Sequence, residues 1–387
     1  MLALLEAGLR LARVRYEASL YRPDPVRGYS LRPNASGWNV GENENYVHIN
    51  SDGLRDYERP ITRPPSTLRI AVLGSSEAEG RQVPLDKTFE TVLAHQLDRE
   101  LPQGRSADVL NFAVPGYTYS QHYLTLHNEV WKYDPQIVIL ALAIPAVFKN
   151  TRELYWGGDT LGTPFYELHD GQLVPDRQTR ETPPPSARRV YWKNTSSDWM
   201  NRFVLLSLLN KARIELQALP STWTKPAATA AATGIPSDYV SRWTYQPDLP
   251  EVQTAWAIGE AFVELMQQEC ARHGAEFWIV SVDQLMQSNP NLAEREKFLS
   301  ETHIASLGAS DQRIQRFGDA HGIPVILLAP PMGDYAASHG VALHGFAHSP
   351  FNSGHWNELG HEVAGGVVAQ ELLARSAAVH KWIAPKP

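Results

Sequence analysis

The order of apolar and polar positions divides the chain into unlike stretches. Met1–Tyr21 places Leu2, Leu4, Leu5, Leu9, Leu11 and Val14 among Glu6, Arg10, Arg13 and Arg15, a spacing that predicts an amphipathic helix. The stretch is too short and too charged to cross a bilayer, and it lacks the long apolar core and cleavage site of a signal peptide. Two readings stand side by side: contact with a membrane surface through residues 1–21, or packing against the rest of the chain. Arg22–Pro65 is rich in Pro, Gly and Asn, with short alternating pieces such as Tyr46–Asn50, and predicts a hairpin or extended strap.

From Leu68 the pattern changes to short apolar runs alternating with helical periodicity. Strands are predicted at Leu68–Leu73, Asp108–Val114, Gln136–Leu142, Glu276–Val282 and Pro324–Ala329. Helices are predicted near Leu85–Leu101, Ser120–Tyr133, Glu251–His273, Asn291–His321 and Asn357–Arg375. Alternation of this kind implies right-handed crossovers and a parallel sheet. The expected fold is a three-layer α/β/α sandwich around five mostly parallel strands. The regular pattern breaks between about 151 and 250. There Thr151–Ser197 reads as loop, Asp198–Leu219 as helix, and Pro220–Pro250, with the Ala/Thr run Ala227–Thr233, as a linker. Pro330–Ser353 also reads as loop. The expected organisation is a leader over 1–65 and one domain over 66–387 with an insertion at about 151–250.

Composition narrows the function classes only a little. At 43% hydrophobic and 20% charged, the 387 residues suit a globular protein. A net charge of −7 gives no reason to expect nucleic acid as a partner. Cys270 is the single cysteine, so it has no partner for an internal disulfide and reads as core.

Three stretches carry candidate chemistry. Strand Leu68–Leu73 runs into Gly74-Ser75-Ser76, which places Ser76 at the carboxyl end of a strand, where ligands bind in open α/β sheets. Asn111–Gly116 is a second strand ending in a glycine turn, and Gly116 can present its N–H without a side chain in the way. Asn352–His361 leads into the last helix, with His355 placed to serve Ser76 as base and then acid. A turn serine bonded to its own backbone is the bland alternative for Ser76.

Taken in order, these stretches resemble the SGNH/GDSL hydrolase superfamily. Gly74-Ser75-Ser76-Glu77-Ala78-Glu79-Gly80 is similar to its first block, Asn111 to Gly116 to its second, and His355-Trp356-Asn357 with Gly360-His361 to its last. The resemblance implies the flavodoxin-like fold of that superfamily. It implies Ser76 as nucleophile, His355 as base, and the N–H groups of Ser76 and Gly116 as oxyanion donors. It implies no metal and no organic cofactor. The leader resembles that of bacterial, often membrane-anchored members, which implies a cell-envelope setting. Three positions depart from the pattern: Ser75 replaces the block-one aspartate, Pro145 stands where block three supplies an asparagine, and Ser353 and Asn352 occupy the places of the acid before the histidine. Asn150, a few residues later, is a candidate substitute for the lost asparagine. Asn352 and Ser353 are candidates for orienting His355, and Asp334 reads either as a more remote acid or as a surface residue.

Around this centre, Tyr117, Gln121, Trp356 and Glu77 are candidate substrate contacts. Glu79 and Glu77 either set charge preference or begin a helix favourably. Trp192 and Trp199 read as a lid or as core. His339, His344, His348 and His355 are either a metal-binding loop or solvated histidines, without carboxylate or cysteine support for a metal. The function implied by the resemblance is a serine esterase for a small-molecule or polysaccharide ester, such as an O-acyl group on a carbohydrate. The alternatives are an impaired relative that binds polysaccharide or a protein, and an acyltransferase using the same serine.

Overall fold

Five apolar runs pair into one parallel sheet. A computed structural model describes residues 1–155, 162–182, 185–218, 242–347 and 352–384. Two N-terminal hairpins come first, β1 (Tyr21–Asp24) with β2 (Gly28–Leu31) and β3 (Ser36–Asn39) with β4 (Asn45–His48). The sheet is built from β5 (Thr67–Gly74), β6 (Ser106–Asn111), β7 (Ile137–Ala143), β10 (Glu276–Val282) and β11 (Val325–Leu327), in the spatial order β11-β10-β7-β5-β6. Every pairing in it is parallel. This is the flavodoxin-type order, whose switch point lies beside the first strand, β5. All eight residues of β5 are buried, as expected of a strand covered on both faces.

The period of two along β5 sorts its side chains into two cores. Leu68, Ile70 and Val72 pack with α3 (Phe89–Glu100) and α13 (Glu358–Arg375), through Phe89, Leu93, Val368 and Leu372. Ala71 and Leu73 face the other way, towards α4 (Tyr119–Asn128) and α9 (Gln253–Arg272), through Leu126, Phe262 and Met266. Cys270 is buried in that second core. A third cluster joins the leader to the sheet: Leu20, Tyr29, Leu31, Val47 and Ile49 pack on Val114 and Tyr117, just beyond β6.

Several expected boundaries shift for identifiable reasons. The first helix, α1 (Leu2–Leu11), stops well short of Tyr21, and no residue of it is buried. The stretch Thr151–Ser197, expected as loop, contains the hairpin β8 (Tyr166–His169) and β9 (Gln172–Pro175), then α6 (Arg177–Glu181) and α7 (Ala187–Asn201). The helix expected at Asp198–Leu219 is divided between α7 and α8 (Val204–Ala218). The start of α8 is capped from far away: the Val204 and Leu205 N–H groups donate to the Glu6 carboxylate at 3.1 and 2.9 Å. The helical stretch Asn291–His321 is likewise two helices, α10 (Leu292–Thr302) and α11 (Ala309–His321). Pro330–Ser353 is not all loop, because α12 (Ala329–His339) holds Pro330 and Pro331 in its first turn, where a missing N–H costs nothing. The run Ala227–Thr233 and His348 lie outside the described residues. Among the described residues no helix is long and apolar enough to cross a membrane.

Asn111 ties the end of β6 to the turn after β5. Its Nδ2 donates to Ala78 O at 2.8 Å, and its Oδ1 accepts from Ala113 N at 2.9 Å. Asn111→Ala leaves both buried groups unpaired and is expected to cost about 1–3 kcal/mol. Urea unfolding of wild type and variant checks this, and an unchanged midpoint would mean that the clamp carries no stability.

Candidate active site

The candidate nucleophile is placed by backbone geometry. β5 ends at Gly74, Ser75 precedes the short helix α2 (Ser76–Glu79) without a capping side-chain bond, and Ser76 is its first residue, partly exposed. Arg55, fully buried, holds the turn from behind by donating to Glu79 O at 2.7 Å and to Val83 O. The Ser76 hydroxyl donates to Glu77 Oε2 at 3.1 Å. Among the described residues no hydrogen bond joins Ser76 to His355, so the pair is not in its reactive contact here. Catalytic contacts are often loose without substrate.

Two of the expected oxyanion donors are available. Among the described residues the backbone N–H groups of Ser76 and Gly116 make no hydrogen bond. Gly116 adopts φ +76°, and a Cβ there would stand 3.1 Å from the Tyr29 hydroxyl. Pro145 sits in the first turn of α5 (Ile144–Phe148) and has no N–H to offer. Asn150 does not replace it: its Oδ1 accepts from Tyr119 N at 3.0 Å and its Nδ2 reaches Ala255 O at 3.5 Å.

His355 is set by the loop that enters α13. His344 and Trp356 form an antiparallel bridge, Gly345 N donates to His355 O at 3.0 Å, and Asn357 N donates to Leu343 O at 3.0 Å. The acid that orients the ring comes from neither Asn352 nor Ser353. Nδ1 of His355 lies 2.9 Å from both oxygens of Glu42, and the His355 N–H donates to Glu42 Oε2 at 2.9 Å. Asn352 Nδ2 is turned away to Leu285 O at 3.0 Å. Glu42 lies between β3 and β4, and its neighbours fasten that hairpin to the backbone that follows the Ser76 turn. Asn43 donates to Gln82 O at 2.9 Å, and Asn45 donates to Arg81 O and Val83 O at 3.0 and 2.7 Å. Gly354 permits the approach: its φ is +76°, and a Cβ would fall 2.6 Å from Glu42 Oε2.

The charges around His355 favour its protonated form. Burial pulls its pKa down, but the bond to Glu42 and the nearby Glu77 and Glu42 carboxylates outweigh it, and the net shift is upward. Burial pushes Glu42 up, and its bonds to His355 outweigh this and hold it below the usual range. Glu79, beneath the turn, is wholly buried and pushed up to about 7 by that burial, against the pull of Arg81 and Arg55.

The sequence expectations for substrate contacts are corrected at three positions. Tyr117 is buried, and its hydroxyl donates to Tyr29 O at 2.7 Å. Gln121 is buried, with Oε1 accepting from Thr118 N at 3.0 Å and Nε2 donating to Arg27 O at 2.7 Å. Trp356 is buried, with Nε1 donating to Asp283 Oδ1 at 2.7 Å. All three belong to the scaffold. Glu77 alone of the four is partly exposed at the turn.

The histidine-rich loop has structural employment. His344 is buried between Gly354 O and Asp283 Oδ2, each 3.0 Å from a ring nitrogen, so both nitrogens carry protons. His339 Nδ1 bonds Tyr335 O at 2.9 Å, and His361 Nδ1 accepts from Phe89 N at 3.2 Å. Asp334 is exposed on α12, and Trp192 and Trp199 are exposed on α7.

No family model matches the chain, and no curated protein matches it. Solved structures with a related arrangement include a two-domain esterase active on acetylated mannans, 11% identical at a TM-score of 0.37, covering 83% of this chain and 51% of the esterase. Others are an acetyl-xylooligosaccharide esterase variant of Geobacillus, 8% identical at 0.39, covering 79% and 94%, and a G-D-S-L lipolytic protein of Desulfitobacterium hafniense, 10% identical at 0.34, covering 78% and 98%.

The Glu42–His355 pair has a definite pH signature. His355, raised when folded, contributes stability below its ordinary value that is lost as pH climbs through the raised one. Glu42, lowered, contributes stability above its ordinary value that is lost as pH falls through the lowered one. Histidine NMR titration is expected to place His355 above about 6.5 in wild type and lower in Glu42→Gln. The same midpoint in both proteins would contradict the pairing.

Proposed function

We propose that this chain is a serine esterase of the SGNH/GDSL type with a rebuilt charge relay of Ser76, His355 and Glu42. The observation that carries the reading is the Glu42 carboxylate on His355 Nδ1, which leaves Nε2 as the proton acceptor on a loop leading to the same sheet edge as Ser76. The mechanism requires the Ser76 hydroxyl to leave Glu77 and bond His355 when substrate is bound. His355 Nε2 takes the proton as Oγ attacks the acyl carbon. The N–H groups of Ser76 and Gly116 receive the developing oxyanion. The tetrahedral adduct collapses, His355 returns the proton to the leaving alcohol, and water repeats the sequence to release the acid. Glu42 holds the tautomer and faces the imidazolium that forms.

The missing third donor sets the expected rate. An absent oxyanion donor costs about 10² to 10³ in turnover, so a modest enzyme is expected. An O-acyl group on a carbohydrate is the substrate this reading assigns. The Ser76–Glu77 bond and Pro145 favour a second reading, in which the cleft binds a glycan without turning it over.

Release of acetate from acetylated xylooligosaccharides and from simple aryl esters separates the two. Ser76→Ala and His355→Ala are expected to abolish release. Glu42→Gln is expected to lower turnover by about 10² to 10⁴. Because His355 must be neutral to accept the proton, the acid limb of the wild-type profile is expected above about 6.5 and at lower pH in Glu42→Gln. Release by Ser76→Ala at the wild-type rate, or none from folded wild type, would overturn the esterase reading.

A further inference from the structure

A concavity lies between the leader and the inserted segment, away from the Ser76 turn. It is a cavity of about 730 Å³ between the β1–β2 hairpin and the inserted segment, within the size range of small-ligand sites. Two tyrosines form the wall towards the candidate site. Tyr29 lines the cavity and donates its hydroxyl to Pro115 O at 2.7 Å, next to the Gly116 oxyanion turn. Tyr21 lines it too and accepts from Arg81 Nη1 at 3.2 Å. Their rings meet edge to face, with centroids 6.1 Å apart.

The charge of the lining is one-sided. Arg22, Arg152, Arg180, Arg189 and Lys193 line the cavity, and Asp24 is the carboxylate among the described lining residues. Asp24 is already neutralised, since Arg27 Nη2 donates to it at 2.6 Å. Arg152 is neutralised by Asp176, with Nε 2.8 Å from Oδ2. Arg22 and Arg180 have neutral partners, donating to Ser30 Oγ at 3.1 Å and Pro175 O at 2.8 Å. Arg189 and Lys193 stand one turn apart on the same face of α7, a like-charge spacing that destabilises a helix unless an anion lies between the two. This concentration of positive charge occurs in a chain whose net charge is −7.

We propose that this cavity is a subsite for an anionic sugar residue, whose carboxylate or phosphate is held by Arg22, Arg180, Arg189 and Lys193 while the ring packs on Tyr21 and Tyr29. The glycan part of the inference rests on the esterase reading; the anion part rests on the charge of the cavity. Bound there, the acidic residue lies against the tyrosine wall, whose Tyr29 hydroxyl bonds the backbone next to Gly116. The subsite then selects acidic over neutral polysaccharide and gives the binding a salt dependence.

Calorimetry on the Ser76→Ala protein tests this without any turnover, so its outcome is separate from that of the ester assays. The ligands are trigalacturonate, neutral xylotriose and inorganic phosphate. Trigalacturonate is expected to bind more tightly than xylotriose and to weaken as salt is raised. The Arg189→Gln/Lys193→Gln pair, both exposed on α7, is expected to weaken trigalacturonate about tenfold or more. Arg180→Gln is expected to weaken it independently of α7, and Arg177→Gln, outside the cavity, to leave it unchanged. Equal affinity for trigalacturonate and xylotriose, or no loss in either the double variant or Arg180→Gln, would overturn the proposal. Binding of phosphate without trigalacturonate would assign the cations to a free anion and would also overturn it.

Discussion

The carboxylate of Glu42 on the ring of His355 is the contact through which two distant parts of this chain make one site. It joins the leader to the loop before α13, across 313 positions of sequence. The hairpin that carries Glu42 is held by Asn43 and Asn45 on the backbone that follows α2, so the Ser76 turn and Glu42 share one support. Gly354 completes the arrangement because a side chain there would occupy the place of the carboxylate. The leader thus contributes to the candidate site, and its satellite core on Val114 and Tyr117 fixes it next to the Gly116 turn.

The charge balance follows from that contact. A half-buried histidine beside two carboxylates is biased to its protonated form, and a general base must be neutral to act. In the proposed mechanism, the same pairing that orients His355 therefore moves the working range of the base upward in pH. Glu77 adds to this and also holds the Ser76 hydroxyl, so one carboxylate at the turn acts on both partners.

The sheet was legible because parallel strands buried on both faces leave continuous apolar runs, and β5, β7 and β10 are of that kind. Strand ends and glycine turns were legible too: Ser76 follows β5 and Gly116 follows β6. What failed had a physical cause in each case. Gln121, Tyr117 and Trp356 flank the motif residues in sequence but point inward, where their polar atoms meet buried partners. Glu42 left no local signal, since one glutamate in a polar turn resembles any solvated carboxylate. The only hint was negative: no acid precedes His355, so one had to come from elsewhere. The start of α8 was hidden for the same reason, its cap being Glu6 on another helix.

The central claim is that Ser76 is a nucleophile activated through His355 and Glu42. Fluorophosphonate labelling with mass mapping of the modified residue tests it most directly, because it reads activation of the serine without knowledge of the substrate. The account predicts stoichiometric label on Ser76, none in His355→Ala, and slower labelling in Glu42→Gln. A folded protein that takes no label, or takes it on Ser76 equally well without His355, would contradict it.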